Sequence, residues 1–159
     1  SLIISTEAAS IHQAWLQTRP EDYGNQTRAR MNSGLTTAAT RYVQARSLRT
    51  PLLADFAKTV FDQVDVLHCP VMNTAVPTII ETDLSANPGF AEFIGQMGHC
   101  TRPINYLGLP SLTVPCGFTE NELPSAFQIV ARPFDEATML RVGHAYQAAT
   151  DWHTRMPPL

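Results

Sequence analysis

The sequence is short of charge, of lysine and of long apolar runs. Only 16% of its 159 residues are Asp, Glu, Lys or Arg, against roughly 25% in an average soluble domain, and Lys58 is the one lysine. The net charge is −3, and no basic stretch of the kind that binds nucleic acid is visible. We therefore expect no nucleic-acid partner. The low charge also indicates that some of the surface is covered by something outside this sequence.

No apolar run approaches the ~20 residues that cross a bilayer, and Leu2–Ile4 is too short for a signal-peptide core. The cysteines at 69, 100 and 116 form no C-x-x-C pair, which favours reduced thiols over a disulfide framework. These features predict a cytoplasmic protein with no membrane partner. Because the first residue is Ser1 rather than Met, we expect the chain to start inside a longer gene product, or after processing or trimming.

Hydrophobic periodicity predicts an α/β fold with a mixed central β-sheet flanked by helices. Ile4, Ile11 and Trp15 share one face of the first helix. At Pro51 the second helix either kinks or restarts, with Thr50 as N-cap. The expected helices are 3–18, 35–60, 90–105 and 134–153, the expected strands are 64–69, 111–114 and 126–132, and residues 70–89 are a loop. Three strands are fewer than the usual five or six, so the sequence reads as part of a larger sheet.

The sequence has no motif that carries catalysis by itself. It contains no G-x-S-x-G elbow, no glycine-rich phosphate loop and no H-E-x-x-H helix. The dipeptides His68-Cys69 and His99-Cys100 suggest zinc, but adjacent side chains on a strand point to opposite faces. Each pair could then supply only one ligand, and we expect no metal and no cofactor. A thiol nucleophile at Cys116, paired with a distant histidine, is an alternative, although any chain with three Cys and five His offers such pairs.

Several motifs occur in the order of one known family. The run from Thr101 to Phe118 resembles the T-x-P-x-N-x-x-G-x-P-(A/S)-x-(S/T)-x-P-x-G stretch of amidase-signature enzymes, and residues 127–136 are similar to that family's GLQIVGRPFDE passage. Upstream, Arg28 to Gly34 matches its R-x-R-x-x-x-G pattern. The resemblance covers nearly all of the chain, and such collinearity is more specific than any single motif.

The resemblance implies that residues 1–159 are the C-terminal portion of a single amidase-signature domain. The family's Ser–cis-Ser–Lys triad would lie upstream, so no catalytic residue is expected here, and Lys58 is interpreted as a solvated helix lysine. The intact protein would cleave a carboxamide through a serine acyl-enzyme. Its partners would be the upstream catalytic part and a small-molecule amide, with a homodimer of the intact enzyme as an open possibility. A non-catalytic scaffold that keeps the fold is the alternative.

The resemblance also suggests two substrate-binding residues. Arg30 matches an arginine that contacts the substrate carboxylate in the glutamine-amidotransferase branch, although an ion pair with the missing part is an alternative. Thr101 matches a position that lines the acyl pocket. That branch has an aspartate near position 98, where this chain has Met97-Gly98-His99, and the departure argues against amidotransferase specificity. Gly108 and Gly117 are expected to provide backbone freedom, and Asn105 to hydrogen-bond the backbone of the turn.

Overall fold

The fold is seen in a computed structural model, which describes residues 1–83, 87 and 89–157. The chain divides into two compact units, residues 1–52 and 53–159. The helices are α1 (Leu2–Thr18), α2 (Asn25–Leu35), α3 (Ala39–Ser47), α4 (Arg49–Phe56), α5 (Phe90–Met97), α6 (Arg102–Leu107) and α7 (Glu136–Ala149), and the strands are β1 (Val66–Pro70), β2 (Ser111–Phe118) and β3 (Pro124–Ala131). The α/β class expected from the sequence is confirmed.

In the first unit, α1 packs against α2 and α3. It buries Ala9 and Leu16, whereas Ile4, Ile11 and Trp15 are 61%, 72% and 47% exposed. The apolar face predicted for this helix therefore lies on the surface of the described structure. We define Ile4, Ile11 and Trp15 as the α1 stripe.

Helix α2 was not predicted, because its sequence carries few apolar residues at helical spacing. Two tertiary features hold it. The Arg28 guanidinium donates hydrogen bonds to the Pro20 carbonyl at 3.3 Å and to Asn25 Oδ1 at 3.1 Å, tying the helix to the preceding turn. A Cβ at Gly34 would collide with the backbone carbonyl of Ser5, so glycine allows α1 and α2 to approach closely. The R-x-R-x-x-x-G pattern thus has a packing role at its first and last positions.

The predicted helix 35–60 is divided. Helix α3 ends at Ser47 and α4 begins at Arg49, so the restart comes two residues before Pro51, which lies in the first turn of α4. Proline fits there because the first-turn N–H groups have no partner inside the helix. Residues Ala57–Phe61 continue as a wider π-helical turn.

The second unit is built on a three-stranded sheet in the order β1-β3-β2. A mixed sheet was expected, but both pairings among the described residues are antiparallel. Strand β2 extends past the predicted Val114 to Phe118, through a register shift between Pro115 and Gly117. Gly117 has φ 146°, a conformation open to glycine and rare for other residues. Strands β1 and β2 are the edges of this sheet.

Strand alternation sends the apolar side chains of the sheet into two cores. On one face Val130 packs with Phe61, Ile104, Leu107 and Leu109. On the other, Val114, Ile129 and Ala131 pack with Met139 of α7. Val114 is buried, because α7 covers that face. The sheet thus lies between helices on both sides.

Two turns place the residues of the candidate site. The predicted helix 90–105 is interrupted at 98–101, and Pro103 lies in the first turn of α6 rather than in a strained last turn. Helix α6 ends at Leu107 and is capped by Gly108, whose φ of 74° is left-handed and whose N–H donates to the Ile104 carbonyl at 2.9 Å. Asn105 is exposed, and its side chain makes no hydrogen bond with any described residue, so its predicted contact with the turn is wrong.

Helix α7 begins at Glu136, close to the predicted start, and it stops at Ala149 rather than near His153. The Asp135 carboxylate accepts a hydrogen bond from the Thr138 N–H, forming an N-cap. Within the residues that the structure describes, no helix is long and apolar enough to cross a membrane.

Candidate functional site

Gln128 is the buried polar centre of the second unit. It lies in the middle of β3 and is 3% exposed. Its Nε2 donates to the Pro70 carbonyl at 2.9 Å and to the Cys100 carbonyl at 3.1 Å, while its Oε1 accepts from the Ser111 hydroxyl at 3.0 Å. One amide thereby connects the end of β1, the α5–α6 turn and the start of β2. We call Gln128 with these three partners the Gln128 cluster.

Thr101 directly follows the Cys100 carbonyl that Gln128 holds. It is half-buried at the N-terminus of α6, and its carbonyl accepts from the Asn105 N–H at 2.9 Å. Its hydroxyl makes no cap bond and has no hydrogen-bond partner among the described residues. Thr101 therefore combines a fixed backbone with a free hydroxyl, the arrangement that a ligand-binding group needs.

The α5–α6 turn also carries a cation. Arg102 Nη2 donates to the Ile94 carbonyl at 2.8 Å, and a Cβ at Gly98 would lie 2.6 Å from Arg102 Nε. The guanidinium therefore fills the space beside Gly98. Where the resemblance would place an aspartate, this chain has a positive charge.

The cysteines of the two His-Cys dipeptides are neighbours. His68 packs its ring against Phe127 at 4.4 Å, whereas Cys69 is paired with Gln128 across the sheet. Burial raises the pKa of the Cys69 thiol, with a smaller effect from neighbouring Cys100, so the thiolate that binds metals or attacks carbonyls is disfavoured. No group of three or more His, Cys, Asp or Glu that could hold a metal ion occurs in the part of the chain that the structure describes.

Cys116 was the candidate for a thiol nucleophile. Its Sγ lies 3.9 Å from the Ser125 hydroxyl across the β2–β3 hairpin. No imidazole is hydrogen-bonded to it within residues 1–83, 87 and 89–157, and a thiol needs such a base for activation. Lys58, the other nucleophile-type side chain, is exposed in the turn after α4, as expected.

Arg30 lies in the first unit, on a cavity of about 310 Å³ between α1 and α2. The cavity walls include Ile4, Ala8, His12 and Met31. Arg30 is exposed, and its guanidinium makes no ion pair or hydrogen bond with any described residue. The cavity volume is at the lower end of the range for small-molecule sites. Arg30 and Thr101 belong to different units of the chain.

His12 on the same cavity wall has a defined orientation. Its Nδ1 lies 2.9 Å from the Tyr23 hydroxyl, and its ring makes edge contacts with Trp15 and Tyr23. Sequence reasoning did not single out this residue, because a lone histidine in a helix carries no spacing signal.

Gln128 was also missed, although a signal was present. It interrupts an apolar strand between Phe127 and Ile129. A side-chain amide in a buried strand must find hydrogen bonds, because leaving it unpaired costs free energy. The polar residue in that run was therefore the one to single out.

A family model described as Amidase matches residues 2–140 of the chain. The chain is 41% identical over 148 residues to a glutamyl-tRNA(Gln) amidotransferase subunit of Chloroflexus aggregans, covering 90% of this chain and 29% of that protein. It is 32% identical over 161 residues to the subunit of the same name from Rippkaea orientalis, covering 98% of this chain and 32% of that one.

Two solved structures are similar in fold. The crystal structure of an amidase superposes with a TM-score of 0.75 at 25% identity, over 93% of this chain and 34% of that one. The structure of 6-aminohexanoate cyclic dimer hydrolase gives a TM-score of 0.81 at 22% identity, over 99% and 35% of the two chains, and supports the fold alone. The chain thus spans about a third of the length of these four proteins.

Proposed function

The chain belongs to the Amidase family, and from that premise we propose that the protein containing it cleaves a carboxamide C–N bond through a serine acyl-enzyme. This chain would supply sheet and pocket residues, and an upstream part would supply the Ser–cis-Ser–Lys triad. We place the intact enzyme in the cytoplasm, with a small linear amide as substrate.

The match of the Amidase family model over residues 2–140, with about 30% coverage of the relatives, carries the proposal. In an acyl-enzyme mechanism the nucleophile and its base must lie within hydrogen-bond reach of each other. The free side chains among the candidate residues are instead the Thr101 hydroxyl and the Arg30 guanidinium, which belong to different units and are groups that bind and orient. We therefore treat residues 1–159 as the C-terminal portion of a single amidase-signature domain.

Thr101 would line the acyl pocket. Its free hydroxyl can hydrogen-bond the substrate carbonyl or its leaving group, and its backbone is held by the neighbouring bond from Gln128 to Cys100. A hydroxyl on a fixed backbone loses little conformational entropy on binding, which is what makes a preorganised contact effective.

Arg30 would bind a carboxylate of the substrate. The planar guanidinium can donate two parallel hydrogen bonds to a carboxylate, and no described residue occupies it. The alternative is an ion pair between Arg30 and the upstream part. An experiment can separate the two roles. Only in the first does the effect of replacing Arg30 depend on whether the substrate carries a carboxylate.

A second candidate function is that of the relatives, which are named as amidotransferase subunits. The 41% identity to the Chloroflexus aggregans protein favours it. The Arg102 guanidinium beside Gly98 argues against it, because a cation there repels the ammonium group of an amino-acid substrate. We therefore rank the small-amide hydrolase first.

The decisive experiment starts from the gene. The reading frame upstream of Ser1 is sequenced, and the complete product is assayed for ammonia or amine release from neutral carboxamides, from amides that carry a carboxylate, and from free glutamine. A lysine followed by a Gly/Ser-rich serine pair, together with turnover, supports the hydrolase. Their absence with no turnover supports the non-catalytic scaffold, and preference for glutamine supports the amidotransferase.

The isolated 159-residue chain is expected to be inactive. Activity of that chain that is lost on Cys116→Ala would establish the thiol mechanism instead.

The Arg30 assignment is tested in the same assay. Arg30→Ala should raise KM for carboxylate-bearing amides by about 10- to 100-fold, because a charge-assisted pair is worth about 1.5 to 3 kcal/mol. The KM for neutral amides should not change. Arg41→Ala, at an exposed arginine of α3, is the matched control. Equal losses on both substrate classes would assign Arg30 to the structural ion pair.

A further inference from the structure

We propose that Gln128 is a positioning residue, which sets the place and orientation of the Cys100–Thr101 segment for substrate binding. The proposal rests on the proposed function in one respect, the role of Thr101 in the pocket. Gln128 itself contacts no substrate; it acts through the backbone of the α5–α6 turn.

The orientation of the Gln128 amide is fixed by its partners. Both carbonyl oxygens, of Pro70 and Cys100, can only accept, so Nε2 must face them and Oε1 must face the Ser111 hydroxyl. Both amide hydrogens are thus used. The flipped amide would direct its oxygen at two carbonyls and is excluded. Because the amide has a single allowed orientation, it fixes the positions of the carbonyl groups that it binds.

Among the hydrogen bonds of the described residues, the bond from Gln128 is the one that joins the α5–α6 turn to the sheet. The backbone bonds within the turn are local: the His99 N–H bonds the Gln96 carbonyl, and the Arg102 N–H bonds the Gly98 carbonyl. The bond from Gln128 to Cys100 joins residues 28 apart in sequence. Because Thr101 follows Cys100 directly, a shift of that carbonyl moves the Thr101 hydroxyl with it.

The two amide hydrogens of Gln128 go to separate segments, the end of β1 and the α5–α6 turn. An apolar side chain at the centre of β3 could fill the same volume, but it would leave both carbonyls without this donor. Two bonds from one side chain to separate segments indicate a geometric role in addition to a stabilising one. The sheet order supports the same conclusion. Strands β1 and β2 are the edges, and the side chain of Gln128 on the central strand hydrogen-bonds to residues of both.

The test separates positioning from general stability. Gln128→Met fills the volume and breaks both carbonyl bonds. Gln128→Glu keeps the shape, but its carboxylate cannot donate. Ser111→Ala is the matched control, because it removes a bond of the same side chain and leaves both carbonyls held. In the complete protein we measure amide hydrogen exchange at residues 99–102 and the iodoacetamide alkylation rate of Cys100, by peptide mass spectrometry.

We expect both Gln128 variants to speed exchange at 99–102 and alkylation of Cys100 by about tenfold or more, while the amides of Ile129 and Val114 keep their protection. Ser111→Ala should stay within about twofold. Lowering the pH should partly rescue Gln128→Glu, because the protonated acid regains one donor. If the exchange rate at residues 99–102 does not change, or rises only as much as that of the Ile129 and Val114 amides, the positioning role is wrong.

A double-mutant cycle in the complete enzyme connects the geometry to catalysis. Gln128→Met and Thr101→Val should each lower kcat/KM by about tenfold, and the double variant should be no worse than Thr101→Val alone, because both remove the same contact. If the two single losses of kcat/KM multiply in the double variant, Gln128 does not act through Thr101. If the complete wild-type protein turns over no amide, the proposed function fails, while the exchange and alkylation results still decide whether Gln128 positions the turn.

Discussion

At the scale of single residues, two positions show how strongly backbone geometry restricts the side chain. At Gly34, helices α1 and α2 approach so closely that a methyl group would meet the Ser5 carbonyl. At Phe134, between β3 and α7, the backbone is left-handed with φ 65°, and the ring is 95% exposed. Glycine fits the close contact at position 34, whereas Phe134 has a backbone conformation that non-glycine residues rarely adopt.

Gly34→Ala should therefore lower the free energy of unfolding by about 2 to 3 kcal/mol, because the added methyl meets backbone that cannot rotate away. The measurement is urea unfolding followed by circular dichroism. Gly95→Ala is the control, since nothing lies within 4 Å of a Cβ at that helical position, and alanine there should stabilise by about 0.5 to 1 kcal/mol. Equal effects of the two substitutions would contradict the close approach of α1 and α2.

Phe134→Asn should raise the free energy of unfolding by about 0.5 to 1 kcal/mol, because asparagine tolerates the left-handed conformation better than an aromatic residue. The exposed ring contributes little burial that could be lost. Phe134→Leu keeps the backbone penalty and should give no gain. A loss of stability in Phe134→Asn would show that the ring makes a stabilising contact.

At the scale of elements, the sequence predicted best where periodicity and proline act locally. Helix α1, strand β1 and the β2–β3 hairpin were located within a few residues, because apolar alternation and the flanking turn residues define them. Helix α2 was missed, since its stability comes from Gly34 and Arg28 meeting residues of other segments. The break at 98–101 was missed for a similar reason, because Arg102 closes that turn through a contact eight residues back in the chain.

The candidate site was predictable only through resemblance. Arg30 and Thr101 were proposed because they occupy family motifs, and the structure adds that neither side chain has a partner among the described residues. Gln128 could have been identified as a buried polar residue. Its three partners could not, because they come from three distant segments: the sheet register brings Pro70 and Ser111 to Gln128, and the α5–α6 turn brings Cys100.

The N-cap of α7 allows a prediction for a whole element. Asp135→Ala removes the acceptor for the Thr138 N–H and should destabilise the protein by about 1 kcal/mol, as N-cap removal usually does. Asp135→Asn keeps an acceptor and should stay within a few tenths of a kcal/mol. Thermal unfolding of both variants checks this, and an equal loss in the two would mean that charge, rather than the cap bond, is what matters.

At the scale of the whole molecule, two surfaces are uncovered among the described residues: the α1 stripe and the edge of β2 that no described strand pairs with. Burying one large apolar side chain is worth roughly 1.5 to 3 kcal/mol, so several exposed ones rival the total stability of a domain, about 5 to 15 kcal/mol. Unpaired strand edges add a tendency to associate. We propose that the upstream part of the protein covers both surfaces.

The isolated chain should accordingly aggregate or bind a hydrophobic dye strongly, and the upstream fragment should suppress both. Sedimentation and thermal unfolding of the chain, alone and mixed with that fragment, provide the measurement. Ile11→Gln should reduce dye binding without loss of stability, because the side chain is 72% exposed; Gln13→Ala on the same helix is the control. A monomer that unfolds cooperatively and ignores the upstream fragment would show that this segment is an independent domain.

The position of β3 between its two neighbours also sets an order of assembly. Ser111 and Gln128 are 17 residues apart in sequence, whereas Pro70 and Gln128 are 58 apart. Closing the longer loop loses more chain entropy and is slower, so β2 and β3 should pair first and β1 should add last and leave first. Native-state hydrogen exchange should then show β1 amides opening at lower free energy than those of the β2–β3 ladder. Equal protection of the two ladders would mean that the sheet forms and opens as one unit.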